Sequence, residues 1–297
     1  MRKVAFHTLG CKVNQYETEA MEELFENREY EIVKDDEIAD IYIINTCTVT
    51  NFGDRKSRQF IRRAKRLNPN STIAVVGCYS QISPDEVEKI EGVDIIIGTT
   101  QREKIVDLCE KSIFEGEKIN IVEDISRHKD FDNLNIVDIK EKTRANIKIQ
   151  DGCNQFCSYC IIPYARGPVR SRELSNTIEQ CIRLRDTGFK EIVLTGIHIA
   201  SYGKDLGDLG LIDVIEEISK IQGIERIRLS SIEPTLIDEN FMKRAIETGK
   251  LCDHFHLSLQ SGSDTVLKRM NRKYSTREYK DIVNTIRKYM PNAGITT

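Results

Sequence analysis

Three cysteines fall within eight residues of this chain, in the run Asp151-Gly-Cys-Asn-Gln-Phe-Cys-Ser-Tyr-Cys160. The C-x3-C-x2-C spacing of Cys153, Cys157 and Cys160 constrains the chain more than any other feature. Three thiolates so close together hold three corners of an iron–sulfur cluster and leave the fourth iron without a protein ligand. An open iron binds a substrate or cofactor, whereas a closed four-thiolate site suits storage, structure or electron transfer. Zinc is the competing reading, but tetrahedral zinc sites pair a C-x2-C with a second couple of ligands downstream. No such couple follows here, since Cys181 stands alone and His198 is distant. A disulfide framework fits less well. Nine cysteines, an odd number, without a secretory signal read as reduced, cytosolic thiols.

At 297 residues the chain is long enough for about two domains. With 39% hydrophobic and 31% charged residues it has the composition of a soluble globular protein. No apolar run approaches the roughly 20 residues of a membrane span, so no membrane partner is expected. The N-terminus enters a strand without a signal-peptide core, and a cytoplasmic location is expected. A net charge of -3 excludes a chain that is basic throughout. The charge is uneven, however: Arg55, Lys56, Arg58, Arg62, Arg63, Lys65 and Arg66 follow the single acid Asp54. Phe60, Ile61, Ala64 and Leu67 recur among them at helical spacing, which predicts an amphipathic helix with a basic face. That face is either simply solvated or a contact for phosphates.

The first half alternates strands and helices. Strands are predicted at 3–9, 30–34, 41–45, 72–77 and 93–98, and helices at 17–27, over the basic stretch, from Pro84 with Ser83 as N-cap, and at 102–113. Such repetition with apolar strands predicts a doubly wound parallel sheet over 1–115. Cys11, Cys47 and Cys78 each lie just beyond a predicted strand. In an open α/β sheet the strand C-termini share one edge, where ligands bind. Three separated cysteines thus converge there and predict a second cluster with an open iron, with Gly10 and Gly77 letting the backbone approach a bulky ligand. Each cysteine taken singly is also read as a buried structural thiol, the reading given to Cys109, Cys181 and Cys252.

Residues 116–143 are charged and weakly periodic, and read as a connector with one or two extended segments. From 144 to 297, strands are predicted at 145–150, 191–195, 226–231, 254–259 and 294–297, with helices at 175–186, 211–221, 234–247 and 276–289. Parallel βα units of this kind curve into a partial (β/α) barrel. Alternation in 254–260 sets His254 and His256 on the polar, lumen-facing side rather than as metal ligands. Asn146, Lys148 and Gln150 share a face of the first barrel strand in the same way.

The cysteine run resembles the cluster loop of radical S-adenosylmethionine (SAM) enzymes, in which SAM chelates the open iron. Tyr159 occupies the aromatic position before the last cysteine that lies against the adenine. Beyond this loop the whole chain resembles the tRNA methylthiotransferase family. The likeness is carried by Thr8-Leu-Gly-Cys-Lys-Val-Asn14, Asn45-Thr-Cys-Thr-Val-Thr50, Val76-Gly-Cys-Tyr-Ser80, Ile161-Ile-Pro-Tyr-Ala-Arg-Gly167, His256-Leu-Ser-Leu-Gln-Ser-Gly-Ser263 and Arg269-Met-Asn-Arg-Lys-Tyr274. The residues beside Cys11 and Cys47 resemble the branch acting on N6-threonylcarbamoyladenosine next to the anticodon.

The resemblance implies two [4Fe-4S] clusters, on Cys11, Cys47, Cys78 and on Cys153, Cys157, Cys160, and two uses of SAM. One SAM methylates a sulfur at the first cluster. The other, cleaved at the second, yields the radical that takes hydrogen from C2 of the adenine, where the methylthio group is added. Both open irons would then face one cavity. A tRNA substrate, a flavodoxin-like electron donor and a sulfur donor are implied partners. Among SAM contacts, Ser230 and Glu233 are candidates for the ribose or amino group, Thr195 and Gly196 for the methionine moiety, and Arg166 or Arg170 for a carboxylate or an RNA phosphate. A salt bridge or turn role stands beside each of these. The family continues with an Asp-containing strand, a Gly-Phe-Pro-Gly-Glu loop, the barrel end and a small RNA-binding β-domain. None of these is in the sequence, so the resemblance implies a chain truncated inside the barrel. The alternatives are a non-catalytic iron–sulfur or zinc protein binding RNA, and a methylthiotransferase for isopentenyladenosine in tRNA.

Overall fold

The computed structural model describes residues 1–47, 51–136 and 143–297, and only the backbone of 51–55. The chain forms two compact units. The first comprises Met1–His128, Asp132–Ile136 and Tyr164–Gly167, and the second Lys129–Phe131, Val137–Pro163 and Pro168–Thr297.

The first unit is built on a six-stranded sheet. Its strands are β1 (Lys3–Thr8), β2 (Glu31–Val33), β3 (Ile41–Thr46), β4 (Thr72–Gly77), β5 (Ile95–Ile97) and β6 (Ile119–Asn120). Their order is β2-β1-β3-β4-β5-β6, all parallel. The helices are α1 (Lys12–Glu26), α2 (Asn51–Leu67), α3 (Cys78–Ile82), α4 (Pro84–Glu88) and α5 (Ile105–Glu115). Alternation along the strands divides the core by face. Tyr42, Ile44, Ile73 and Val75 pack with Phe60, Ile61 and Ala64 of α2 and with Tyr79 and Val87. Ile41, Ile43, Ala74 and Val76 pack with Met21 and Phe25 of α1 and with Ile105 and Val106 of α5. Helices therefore cover both faces, and β3 and β4 are buried at every residue, as the apolar runs predict for central parallel strands. Shortening Ile43 or Ile44 to alanine would cost about 2–5 kcal/mol.

Several boundaries differ from expectation. α1 begins at Lys12, directly after Cys11, because Val13 and Tyr16 already lie on its buried face. α3, five residues starting at Cys78 itself, is too short to show a period. Ser83 does precede α4, with Pro84 at the first helical position, but its hydroxyl makes no capping bond. β6 is an extended segment of the connector, as expected there, but it joins the sheet as a sixth strand beside β5. α2 is helical as predicted, with Phe60, Ile61 and Ala64 buried. The side chains of Asp54 and Arg55 lie outside the described residues, as do residues 48–50 of the motif around Cys47.

The second unit contains β7 (Ala145–Asp151), β8 (Arg170–Ser171), β9 (Glu191–Gly196), β10 (Arg226–Leu229), β11 (Ser231–Ile232), β12 (His254–Leu257) and β13 (Gly294–Thr296). The chain also forms α6 (Ile162–Arg166), whose last three residues belong to the first unit. The remaining helices are α7 (Leu174–Asp186), α8 (Leu211–Ser219), α9 (Glu239–Glu247), α10 (Asp264–Arg269) and α11 (Thr276–Tyr289). The strand orders are β10-β9-β7-β8 and β11-β12-β13. Only Ser230 separates β10 from β11, so the parallel strands follow one another as an open, partial barrel. β8 is a correction to the all-parallel expectation: it pairs antiparallel with the end of β7. Phe255 and Leu257 are fully buried, while His254 and His256 face the other way, His256 Nδ1 lying 2.8 Å from Thr296 Oγ1. Among the described residues no helix is long and apolar enough to cross a membrane.

Candidate active site

In the first unit the ends of β1, β3 and β4 deliver Cys11, Cys47 and Cys78 to one sheet edge. Asn14, one turn into α1, ties these ends together. Its Nδ2 donates to Leu9 O and to Thr46 O, both at 2.8 Å. Asn45 Nδ2 donates in turn to Asn14 O at 2.9 Å, and Thr46 Oγ1 to Val76 O at 2.6 Å. Gly10 sits at φ 115°, and a Cβ there would meet Cys47 Cβ at 2.8 Å and its Sγ at 3.1 Å. The neighbour that needs this glycine is thus the second cysteine's side chain rather than the bulky ligand expected there, and the first cysteine loop is pressed against the second. Gly77, at φ 98°, has no room either, with Asn45 Oδ1 and Thr46 O both 2.7 Å from where a Cβ would be. Cys11 is exposed, Cys47 partly so, and Cys78 buried.

A buried arginine completes this edge. Arg166 Nε donates to Cys78 Sγ at 3.3 Å, and its Nη2 to Asn14 Oδ1 at 2.7 Å. Its two terminal nitrogens grip Glu17 at 2.5 and 3.0 Å. Burial pushes the Cys78 thiol up, and the Arg166 charge works against that rise. Arg166, a candidate for a SAM carboxylate or an RNA phosphate, is thus buried in the first unit and committed to Glu17. Arg170 is committed too, lying 3.6 Å from Asp151, which also holds the buried Lys148 at 2.5 Å. Sequence reasoning missed Glu17. Its signal was a carboxylate on the otherwise apolar stripe of Val13, Tyr16, Ala20 and Met21.

In the second unit β7 feeds the cysteine loop through Gly152 at φ 70°. Cys160 N donates to Cys157 O at 3.0 Å, closing a tight turn. The Cys153 thiol is pushed up to about 11, chiefly by burial, with a backbone hydrogen bond from Gln155 opposing the rise and the neighbouring Cys160, Cys157 and Glu233 adding to it. The Tyr159 ring is exposed, its hydroxyl donating to Gln260 Oε1 at 3.1 Å. Glu233 takes Arg272 Nη2 at 2.6 Å, and Arg272 Nη1 reaches Cys157 Sγ at 3.4 Å. Ser230 Oγ is buried and unpartnered. His198 Nε2 lies 3.5 Å from Glu233 Oε2 without making a hydrogen bond. Thr195 is buried. A Cβ on Gly196 would stand 2.8 Å from Gln150 O, so close strand packing already accounts for that glycine. Arg272 carried no assigned role in the sequence reading.

Both donor sets suit an iron–sulfur cluster: each offers three thiols and a buried cation donating to one sulfur. Among the described residues no three His, Cys, Asp or Glu side chains close around a single metal ion. Thiolates on one tetrahedral zinc, each about 2.3 Å from the metal, would have to crowd closer than those on the corners of a larger iron–sulfur cube.

A groove of about 1390 Å³ runs along α2 in the first unit, lined by Lys56, Arg62, Arg63, Arg66 and Lys89, among others. On its wall the His7 and Phe60 rings stack, with centroids 3.6 Å apart and planes 5° from parallel.

Residues 147–297 match the radical SAM superfamily, and residues 3–98 match the uncharacterized protein family UPF0004. Over all of this chain and 66% of its own length, threonylcarbamoyladenosine tRNA methylthiotransferase MtaB of Bacillus subtilis (strain 168) is 47% identical. The protein of the same name from Aquifex aeolicus (strain VF5) is 43% identical over 99% of this chain and 72% of its own. The chain belongs to the radical SAM tRNA methylthiotransferase family. It spans about two thirds of the length of these curated relatives. In fold it is similar to the radical S-adenosylmethionine methyltransferase TsrM from Kitasatospora setae. The TM-score is 0.64 at 16% identity, over 97% of this chain and 66% of that one.

Proposed function

We propose that this protein adds a methylthio group to C2 of N6-threonylcarbamoyladenosine in tRNA. The observation that carries the reading is the pair of three-cysteine sets, one on the sheet edge and one on the barrel loop, in a chain so close to relatives of that name. Cys11, Cys47 and Cys78 would hold one [4Fe-4S] cluster, and Cys153, Cys157 and Cys160 the other with SAM on its open iron. Bound there, the two groups supply the sulfur to be transferred and a carbon radical strong enough to take hydrogen from an unactivated C–H bond. The chain's own task is to bind, orient and exclude water. Asn14, Gly10 and Arg166 hold the first set of thiolates. Arg272 and Glu233 border the second, and the unpartnered Ser230 Oγ, with His198 Nε2 beside Glu233, offers polar contacts for SAM. Thr195 and Gly196 line the same strand ends, and Tyr159 leaves an exposed ring for the adenine. An electron donor, of flavodoxin type, and a sulfur donor are required from outside, in a cytoplasm that keeps the thiols reduced.

The branch rests on residue likeness, since the tRNA-2-methylthio-N(6)-dimethylallyladenosine synthase of Clostridium tetani is 37% identical over 98% of this chain. Mass analysis of tRNA nucleosides from a strain lacking the gene decides. Loss of the 2-methylthio form of threonylcarbamoyladenosine, restored by the gene but not by its Cys160→Ala variant, is expected. Loss of the dimethylallyl form instead would move the protein to the other branch, and no change in either would end the reading.

A further inference from the structure

We propose that Arg272 is a positioning residue for the barrel cysteine loop, and that its bond to the Cys157 sulfur raises the reduction potential of the cluster held there. This rests on the reading of Cys153, Cys157 and Cys160 as a cluster-binding set. The motif Arg269-Met-Asn-Arg-Lys-Tyr274 had no role in that reading, yet it clasps the loop. Ser158 N donates to Met270 O at 3.1 Å, and Ser158 Oγ to Arg269 O at 2.9 Å. Asn271 Nδ2 bridges Gln155 O at 3.3 Å and Phe156 O at 2.9 Å. Asn271 itself sits at φ 61°, a left-handed turn that asparagine tolerates, directly after α10. Arg272 N then returns to Leu267 O at 2.9 Å, fixing the backbone from which the guanidinium leaves.

Each nitrogen of that guanidinium has a different partner. Nη2 is held by Glu233 at 2.6 Å, Nε by the Tyr274 hydroxyl at 3.3 Å, and Nη1 is left to reach Cys157 Sγ at 3.4 Å. Tyr274 is anchored in its turn, its hydroxyl donating to Leu259 O at 2.8 Å. Arg272 and Glu233 are 8% and 4% exposed, so water does little to screen the charge. A guanidinium is a rigid planar fork. Once Glu233 and Tyr274 fix two of its nitrogens, the third has no freedom but to aim at the sulfur. Hydrogen bonds to cluster sulfurs and nearby charge set the potentials of such centres. A cation donating to a ligand sulfur stabilises the form carrying the extra electron, so its removal lowers the potential.

The test uses the chain with Cys11, Cys47 and Cys78 replaced by alanine, so that bound iron reports on this loop alone. After anaerobic reconstitution, the midpoint potential is read by a titration followed by electron paramagnetic resonance. Arg272→Gln should shift the midpoint to a more negative value, and Arg272→Lys should restore part of the shift. Asn271→Ala breaks two bonds of the clasp but leaves the guanidinium. It should release iron faster to a chelator at an unchanged potential. Should Arg272→Gln take up no iron, Arg272→Lys carries the test by the same reading of its midpoint. A parental midpoint in the arginine variant read, or an equal shift in Asn271→Ala, overturns the proposal. A parent that binds no iron overturns the cluster reading instead.

Discussion

Arg166 and Glu17 form a fork-to-fork ion pair in the interior of the first unit, 2.5 Å and 3.0 Å between their paired atoms. Neither side chain is exposed to solvent. Arg102 Nη1 stands 3.3 Å from the same carboxylate, so one buried anion lies between two buried cations. Such an arrangement is costly to break from one side, because the abandoned charge has no water to turn to. Arg166→Leu takes one of the two buried cations from Glu17 and is expected to cost about 3 kcal/mol or more. A lowered urea midpoint, followed by circular dichroism, checks this. Double replacement by Arg166→Leu and Glu17→Leu should recover part of the loss, and an unchanged midpoint in the single variant would contradict the burial of the pair.

The same pair shows where the sequence stopped being legible. The main strands of the first unit and their parallel direction could be read in advance, because apolar runs are local signals. The convergence of Cys11, Cys47 and Cys78 also followed, since the ends of parallel strands share an edge. Arg166 did not. Its motif follows Cys160 in the chain, and nothing local says that its side chain ends on Glu17 and Cys78. Arg272 was hidden for the same reason, as Cys157 lies far from it in sequence. α3 and β8 were missed because five and two residues carry no measurable period.

The two cysteine sets are expected to separate in function. Cys153→Ala, Cys157→Ala and Cys160→Ala should each abolish formation of 5′-deoxyadenosine from SAM, because a three-thiolate site has no spare ligand. Replacing Cys11, Cys47 and Cys78 together should remove about half the bound iron and all methylthio product while leaving SAM cleavage detectable. Chromatographic detection of 5′-deoxyadenosine, with iron content measured on the same sample, distinguishes the sets. Cleavage surviving in any of the first three variants is incompatible with the assignment.

Cys181 gives the fold a weakness to alkali. It lies in α7 with no exposed surface, and burial pushes its thiol up to about 12, against an opposing pull from Arg172. In the unfolded chain the thiol ionises near its ordinary value of 9.0. Between the two values the unfolded state has lost a proton that the folded state retains, so stability falls as pH rises. It is fully present below about 9, and each pH unit within the window removes about 1.4 kcal/mol. Urea midpoints measured from pH 8 upward should fall, and Cys181→Ala should flatten that fall. Identical pH profiles for the two proteins would show that other groups set the alkaline limit.

The basic face of α2 is expected to hold tRNA phosphates. Arg62, Arg63 and Arg66 are exposed, opposite the buried stripe of Phe60, Ile61 and Ala64. They line the groove that also holds the stacked His7 and Phe60 rings. Arg63 lies over the Phe60 ring at 5.7 Å, so its charge is presented from a packed surface rather than from a freely rotating chain. Each phosphate neutralised by such a side chain releases condensed counterions, and the salt dependence of binding counts the contacts. Reversing Arg62, Arg63 and Arg66 to glutamate should weaken tRNA binding and reduce the slope of log affinity against log salt by about 2 to 3. Iron content should stay at the parental level, because among the described residues none of the three is bonded to a cysteine. The competing account is that the face only keeps the unit hydrated. It predicts parental affinity and slope for the triple reversal, and filter-binding titrations at several salt concentrations separate the two, since loss of affinity at an unchanged slope would mean that the reversal harmed the fold and not the phosphate contacts.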